Sequence, residues 1–531
     1  MPTPPPPSPP SPSPPPPFAR RLLFGLSRFT WRWLTRAAML VALVVLAVTA
    51  GFATYALLML PPVDPWHTTR LKGEFTAADE SGLDFAGYQA MEAKLFEAQR
   101  TMVATMPTGA PYYLGSRYDP NGPALRLAPG QPYNRSSRRT PAQVRGAALL
   151  IHGLSDSPYS MQNVSDILFA HGFEVTILRL PGHGTLPSGM VHMEYEDWVA
   201  AMRVAARDIS ARLPKDLPFY IAGYSTGGTL SMTYALDAIA PGADQSLRRP
   251  TRVLLFSAAV ELIPAAALTR ILDLFAKVPL AMFEKVNWQS IGPEYDPYKF
   301  VSFPVNASRQ VFVATRHLQR QLLEAERAGR LVQIPSVIAF QSAVDSTTGA
   351  HGVATTVFGR LQGPQHRLVL FDVNRHQRYD FVRRPGPAAL VEDVTTGFAN
   401  GTRSHALVLL TNRTHDTDEI EIRDYGPHQR EPVVTSPGLS WPPHVVSVGH
   451  VSVPFPPDDP LYGYMPGSGV NGVPSIGSWA VRGEEGALVL PLGALPRLRA
   501  NPFWSVLKRQ LDAVATADTG APRRSHAEGA Q

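Results

Sequence analysis

From residue 146 onward the sequence alternates short β-rich apolar runs with helical stretches, and this limits the fold more than any other feature of the 531-residue chain. GAALLIHG (146–153), FEVTILRL (173–180), PFYIA (218–222) and RVLLFSAA (252–259) read as strands. SVIAFQS (336–342), RLVLFDV (367–373) and HALVLLTN (405–412) resume the rhythm. Helical stretches lie between the first four runs, at 157–172, about 194–212 and 229–240. The first has Ser157 as a cap and Pro158 in its opening turn. Strands apolar on both faces, each followed by a helix, predict βαβ units and a mostly parallel sheet covered on both sides. A composition of 44% hydrophobic and 17% charged residues can fill the core such a sheet requires.

Two segments break the rhythm. Residues 260–335 hold two helical stretches, 267–286 and 309–330, around an irregular piece at 288–308. Apolar helices inserted between sheet strands predict a helical cap. Residues 377–443 hold HALVLLTN among long polar loops and read as a second insertion. Ahead of the sheet, 83–105 has the pattern of an amphipathic helix and 107–145 is rich in turn residues. The expected divisions are an N-terminal extension (61–145), a core in two parts (146–259 and 336–515) around the cap, and a disordered tail (516–531).

The front end differs in texture. Residues 1–17 contain twelve prolines and cannot pack a core. Residues 37–60 form a run of 24 without a charge, about 36 Å long as a helix against a hydrocarbon layer of about 30 Å. This predicts a transmembrane helix, with Trp31 and Trp33 at its edge and Pro61-Pro62 at its end. Five arginines (Arg20, Arg21, Arg28, Arg32, Arg36) lie on the N-terminal side, so 1–36 is expected to be a cytoplasmic tail and 61–531 to lie outside the cytoplasm. In a Gram-negative bacterium that is the periplasmic face of the inner membrane. A signal peptide cleaved near Val48-Thr49-Ala50 is the competing reading, but the apolar run is long for one. The net charge of +6 is almost entirely these arginines, because the remainder holds 44 basic and 43 acidic residues. That balance excludes a nucleic-acid footprint. With no cysteine, disulfides, thiolate metal sites and cysteine nucleophiles are excluded.

Gly223-Tyr224-Ser225-Thr226-Gly227 matches G-x-S-x-G between an apolar strand and a helix. On such a turn the serine is strained and exposed, glycines relieve the crowding, and Ser225 is the candidate nucleophile. The backbone N–H groups of Leu154, after the strand ending at His152, and of Thr226 are the candidate oxyanion donors. Asp345, just past SVIAFQS, is the candidate acid that would orient a histidine. Two histidines compete for the base. His376 follows RLVLFDV by three residues, and His450 ends HVVSVGH before a proline-rich turn. The residues by themselves leave that choice open. His152 precedes the serine and is not expected as the base; His183 reads as a turn element. Tyr195 and Trp198 read as helix packing, and Asp458-Asp459 as a capped turn. No P-loop, dinucleotide fingerprint or HExxH occurs, so no cofactor or metal is expected.

Together, LLIHGLSDSPYSM, RLPGHGT, GYSTGG and the aspartate of FQSAVDSTT resemble the α/β-hydrolase superfamily. Within it they resemble the group of monoacylglycerol lipases, bacterial carboxylesterases and serine aminopeptidases. The resemblance covers roughly 145–375 and resumes at 444–466, where HVSVPFPPDDPLYG is similar to the histidine-bearing segment of membrane-anchored bacterial members. It implies an α/β-hydrolase fold with Ser225 as nucleophile, Asp345 as acid and His450, rather than His376, as base. It also implies a carboxylic-ester hydrolase forming an acyl-enzyme on small or lipid-like esters. The same triad would serve an aminopeptidase or amidase, which requires an acid for the free amine; Glu261, Glu284 and Glu294 are the candidates. A non-catalytic binding module on a hydrolase fold is the alternative from a different class.

Overall fold

Residues 17–106, 115–119, 121–261, 281–345, 347, 349–381, 385–478 and 497–520 are described by a computed structural model. The chain forms two compact units, Met1–Met59 and Leu60–Gln531. In the first, α1 (Pro17–Met59) is a single helix of 43 residues. Among the described residues, no helix is long and apolar enough to cross a membrane. A span needs about 20 consecutive apolar residues in one helix. This overturns the reading of 37–60 as a transmembrane helix and the single-pass topology built on it.

The second unit is organised by the apolar runs. The strands are β1 (Ser137–Arg139), β2 (Gly146–Ile151), β3 (Phe173–Leu178), β4 (Phe219–Tyr224), β5 (Arg252–Phe256), β6 (Ser336–Ser342), β7 (Arg367–Phe371), β8 (Ala406–Asn412), β9 (Ile420–Tyr425) and β10 (Val433–Thr435). They form one sheet in the order β1-β3-β2-β4-β5-β6-β7-β8-β9-β10. From β3 through β8 the pairing is parallel, whereas β1, β9 and β10 pair antiparallel at the two edges.

Alternate residues of β2 enter two cores. Ala147, Leu149 and Ile151 pack in one, Ala148 and Leu150 in the other, as the two-residue period of a strand requires. The helices are α2 (Phe85–Ala104), α3 (Gln162–Ala170), α4 (Tyr195–Arg212), α5 (Thr226–Asp237), α6 (Val305–Arg327), α7 (Pro385–Ala399) and α8 (Trp504–Thr519). One core draws Trp198 of α4, Leu230 of α5, Leu318 of α6 and Val394 of α7; the other draws Leu168 of α3 and Leu507 of α8. The result is helix–sheet–helix layering, the α/β-hydrolase architecture.

Several expectations change. The segment expected as a cap begins with a stretch that lies outside the described residues through 280. Ala281–Asn287 is a 3-10 turn. The second helical stretch, α6, buries Val311, Ala314, Leu318 and Leu322 in the core and packs on α5. The insertion at 377–443 holds α7, β8, β9 and β10. The last two escaped notice because edge strands carry polar side chains toward solvent. The segment before His450, residues 444–449, meets the sheet region through the bridge Ser447–Val373. Helix α8 reaches Thr519, so the ordered chain passes the expected start of the tail at 516.

The N-terminal extension is joined to the sheet by a buried ion cluster. Arg179, just after β3, donates from Nε to Glu92 Oε1 at 2.8 Å and from its two terminal nitrogens to Glu74 at 3.0 and 2.7 Å. Ser136 N and Oγ also donate to Glu92, at 3.0 and 2.8 Å. Burial raises the Glu92 carboxyl above its ordinary range, with Arg179 opposing that shift.

Candidate active site

Tyr224 ends β4 and Thr226 begins α5, leaving Ser225 to make the turn in one residue. It does so with φ 54° and ψ −117°, a conformation that costs a non-glycine residue on the order of 1–3 kcal/mol. The surroundings enforce it. Ser225 N donates to Phe256 O at 2.9 Å, and Ser225 O accepts from Gly228 N at 2.9 Å and Ala259 N at 3.1 Å. The flanking glycines are required by space: a Cβ at Gly223 would lie 2.0 Å from Gly227 O, and one at Gly227 would lie 2.1 Å from Ile151 O.

The loop after β2 faces this turn. Ser225 and Thr226 line one cavity of about 550 Å³ with Leu154, His450 and Arg497. Among the described residues, neither Leu154 N–H nor Thr226 N–H donates to a protein acceptor. His152 is fully buried, its Nδ1 2.8 Å from Gly153 O and its Nε2 accepting from Leu180 N at 3.0 Å. Burial holds its pKa well below the ordinary value, so the ring is neutral. His183 packs edge-on against it at 5.1 Å and is lowered by burial to about 4. Neither ring lines the cavity. Trp198 is buried and donates to Pro181 O at 3.2 Å.

Asp345 lies beyond β6 and is 7% exposed. Its Oδ2 accepts from Gln341 Nε2 at 2.9 Å and meets His450 Nδ1 at 2.7 Å; its Oδ1 accepts from Thr347 N at 3.0 Å. His450 reaches this position without a strand of its own. Ser342 Oγ donates to Val448 O at 2.5 Å and Asn374 N to Val446 O at 2.8 Å, so the ends of β6 and β7 hold the preceding segment. Gly449 and Ser452 close a 3-10 turn that starts at His450. The imidazole also lies beside the Tyr224 ring, with centroids 5.4 Å apart.

Thus Ser225, His450, Leu154 and Thr226 share a cavity, and Asp345 touches His450 from behind. His376 is elsewhere: it accepts from Arg378 N at 3.1 Å at the start of a 3-10 turn and does not line the cavity. The three glutamates considered as amine anchors do not line it either. Glu261 pairs with Thr356 and approaches His351, and Glu284 is exposed. Glu294 is fully buried, accepts from Val301 N and Ser302 N at 3.1 and 2.8 Å, and is raised by burial to about 7. Asp459 accepts from the N–H groups of Leu461 and Tyr462 and from Tyr159 and Asn163, as a turn carboxylate.

Sequence reasoning missed the cations at this site. Lys299 pairs with the buried Asp156 at 2.6 Å, and Arg499 approaches Asp296 at 3.5 Å. They come from irregular segments in which no periodicity marks them.

Residues 142–309 match the family model described as "Serine aminopeptidase, S33". Among curated proteins, the thermostable monoacylglycerol lipase of Bacillus sp. (strain H-257) is 32% identical over 87 residues, or 16% of this chain and 34% of that protein. The chain therefore spans about a third of that relative's length. Among solved structures, the Paleococcus ferrophilus monoacylglycerol lipase aligns at 18% identity and TM-score 0.33 over 49% of this chain and 97% of its own. A carboxyl esterase from Bacillus coagulans aligns at 15% identity and TM-score 0.34 over 50% and 93%.

Proposed function

We propose that this chain, an α/β-hydrolase resembling lipases and esterases, is a serine hydrolase that cleaves carboxylic esters with Ser225, His450 and Asp345. The observation that supports this most is the 2.7 Å contact between His450 Nδ1 and Asp345, made at the cavity that also exposes the strained Ser225. Asp345 fixes the proton on Nδ1 and leaves Nε2 free to accept. Ser225 Oγ attacks the ester carbonyl while His450 Nε2 takes its proton. The developing oxyanion accepts from the N–H groups of Leu154 and Thr226, each worth about 2.7–4 kcal/mol in the transition state. His450 then protonates the departing alcohol. Water, deprotonated by His450, releases the acid and restores Ser225.

An aminopeptidase is the second reading, favoured by the description of the matching family model. Such an enzyme needs a carboxylate for the substrate ammonium. Among the described residues, the one carboxylate lining the cavity is Asp156, already paired with Lys299, so ester cleavage is preferred. The test is fluorophosphonate labelling with the adduct mapped by mass spectrometry. An adduct on Ser225, lost in Ser225→Ala and His450→Ala and retained in His376→Ala, is expected. No adduct on the folded protein would overturn the reading.

A further inference from the structure

The Ser225 cavity continues into a smaller one of about 180 Å³, and the two share seven lining residues, Asp156, Lys299 and Arg497 among them. This annex is lined by apolar groups, including Phe300, Val301 and Phe455, and by charged ones. Its cations are Lys299, Arg497 and Arg499, and its carboxylates are Asp156 and Asp296. Lys299 is neutralised by Asp156, and Arg499 by Asp296, which is also held by the Tyr462 hydroxyl at 2.8 and 2.9 Å. Arg497 is different. It is exposed, donates to the neutral Thr347 Oγ1 at 2.8 Å, and among the described residues has no carboxylate partner. Among the described residues, the annex therefore carries one positive charge in excess, on a guanidinium that lines both cavities.

Resting on the ester-hydrolase reading, we infer that Arg497 makes the enzyme selective for monoanionic esters, those carrying a carboxylate at the end of the acyl chain or on the alcohol. A guanidinium presents a fork of donors that matches a carboxylate in two parallel hydrogen bonds. A single excess charge matches a monoanion rather than a phosphate dianion. The carboxylate occupies the annex while the ester carbonyl sits at Ser225, and the apolar groups cover the connecting methylenes. Arg497 is a specificity residue and takes no part in bond making.

The test compares kcat/KM for two pairs of esters. One pair places the charge on the acyl side: the 4-nitrophenyl monoester of glutaric acid against 4-nitrophenyl valerate. The other places it on the alcohol side: the valerate ester of 4-hydroxybenzoate against that of 4-cresol. One charged ester is expected to exceed its neutral counterpart about tenfold, chiefly through KM, and less so at high salt. Arg497→Gln is expected to erase that preference and Arg497→Glu to invert it. Arg100→Gln, on an exposed helix pair, is expected to keep it. Turnover of the neutral esters with no preference for either charged one would overturn the inference while leaving the hydrolase reading in place. So would a preference that survives Arg497→Gln. No turnover of any of the four would overturn the hydrolase reading and this inference with it.

Discussion

Replacing Arg179 by leucine tests how the N-terminal extension is held to the sheet. Arg179 is 1% exposed and Glu92 is 2% exposed, with Nε and Oε1 2.8 Å apart. At an effective dielectric of about 20, unit charges roughly 3 Å apart attract by about 5–6 kcal/mol. Removing the guanidinium returns part of this as relieved desolvation, but it leaves Glu92 buried with, among the described residues, only Ser136 as donor. The net loss is about 3–5 kcal/mol, the range for breaking a buried pair by one partner. The loss depends on pH. Burial already raises Glu92 in the fold, and without Arg179 it rises further. A raised carboxyl is protonated in the fold where the unfolded chain has lost its proton, so the penalty is absent at low pH and grows as pH rises through the raised value. Urea unfolding followed by tryptophan fluorescence should therefore show a smaller deficit at pH 5 than at pH 8. Arg179→Leu combined with Glu92→Leu should recover at least half of it, because a well-packed apolar pair avoids the stranded charge. A deficit under about 1 kcal/mol, or a double variant no better than the single, would refute the reasoning.

Further outcomes are expected at the site and around it. Asp345→Asn should cost about 10⁴ in kcat with little change in KM for a neutral ester, since the asparagine amide no longer selects the productive tautomer; a loss below tenfold would remove Asp345 from the proposed triad. Gly227→Ala should destabilise by about 3 kcal/mol, because its Cβ would sit 2.1 Å from Ile151 O; unchanged thermal unfolding and labelling would contradict that geometry. Glu294, raised by burial to about 7, has a folded pKa above its unfolded one. Its contribution is full below about 4.5 and lost as pH rises through about 7, on the order of 3 kcal/mol in all. Glu294→Gln should flatten the stability profile between about pH 4.5 and 7, and an unaltered slope would exclude Glu294 as its source.

The seven apolar runs named the parallel strands because a strand buried on both faces is apolar at most positions, a condition visible in one dimension. G-x-S-x-G between strand and helix marked Ser225 for the same reason: the backbone conformation is local and demands glycines at fixed offsets. The edge strands β9 and β10 and helix α8 were not legible, since their stability comes from packing on a sheet already formed. The long helix at the front shows the opposite limit. An uncharged run suggested a span that no described helix is long and apolar enough to make.

The choice between His376 and His450 was not decidable from local pattern, because both follow apolar segments past Asp345. Tertiary structure alone decides which imidazole lies 2.7 Å from that carboxylate, and it does so through Ser342 and Asn374, which tether residues 446 and 448 to the ends of β6 and β7. The excess charge beside Ser225 has the same origin. Lys299, Arg497 and Arg499 are separated in sequence by up to 200 residues, and no periodicity along the chain records that the fold brings them to one cavity. Sequence fixes what each segment can become, because backbone conformation and burial pattern are local. Which side chains meet is set by how those segments pack.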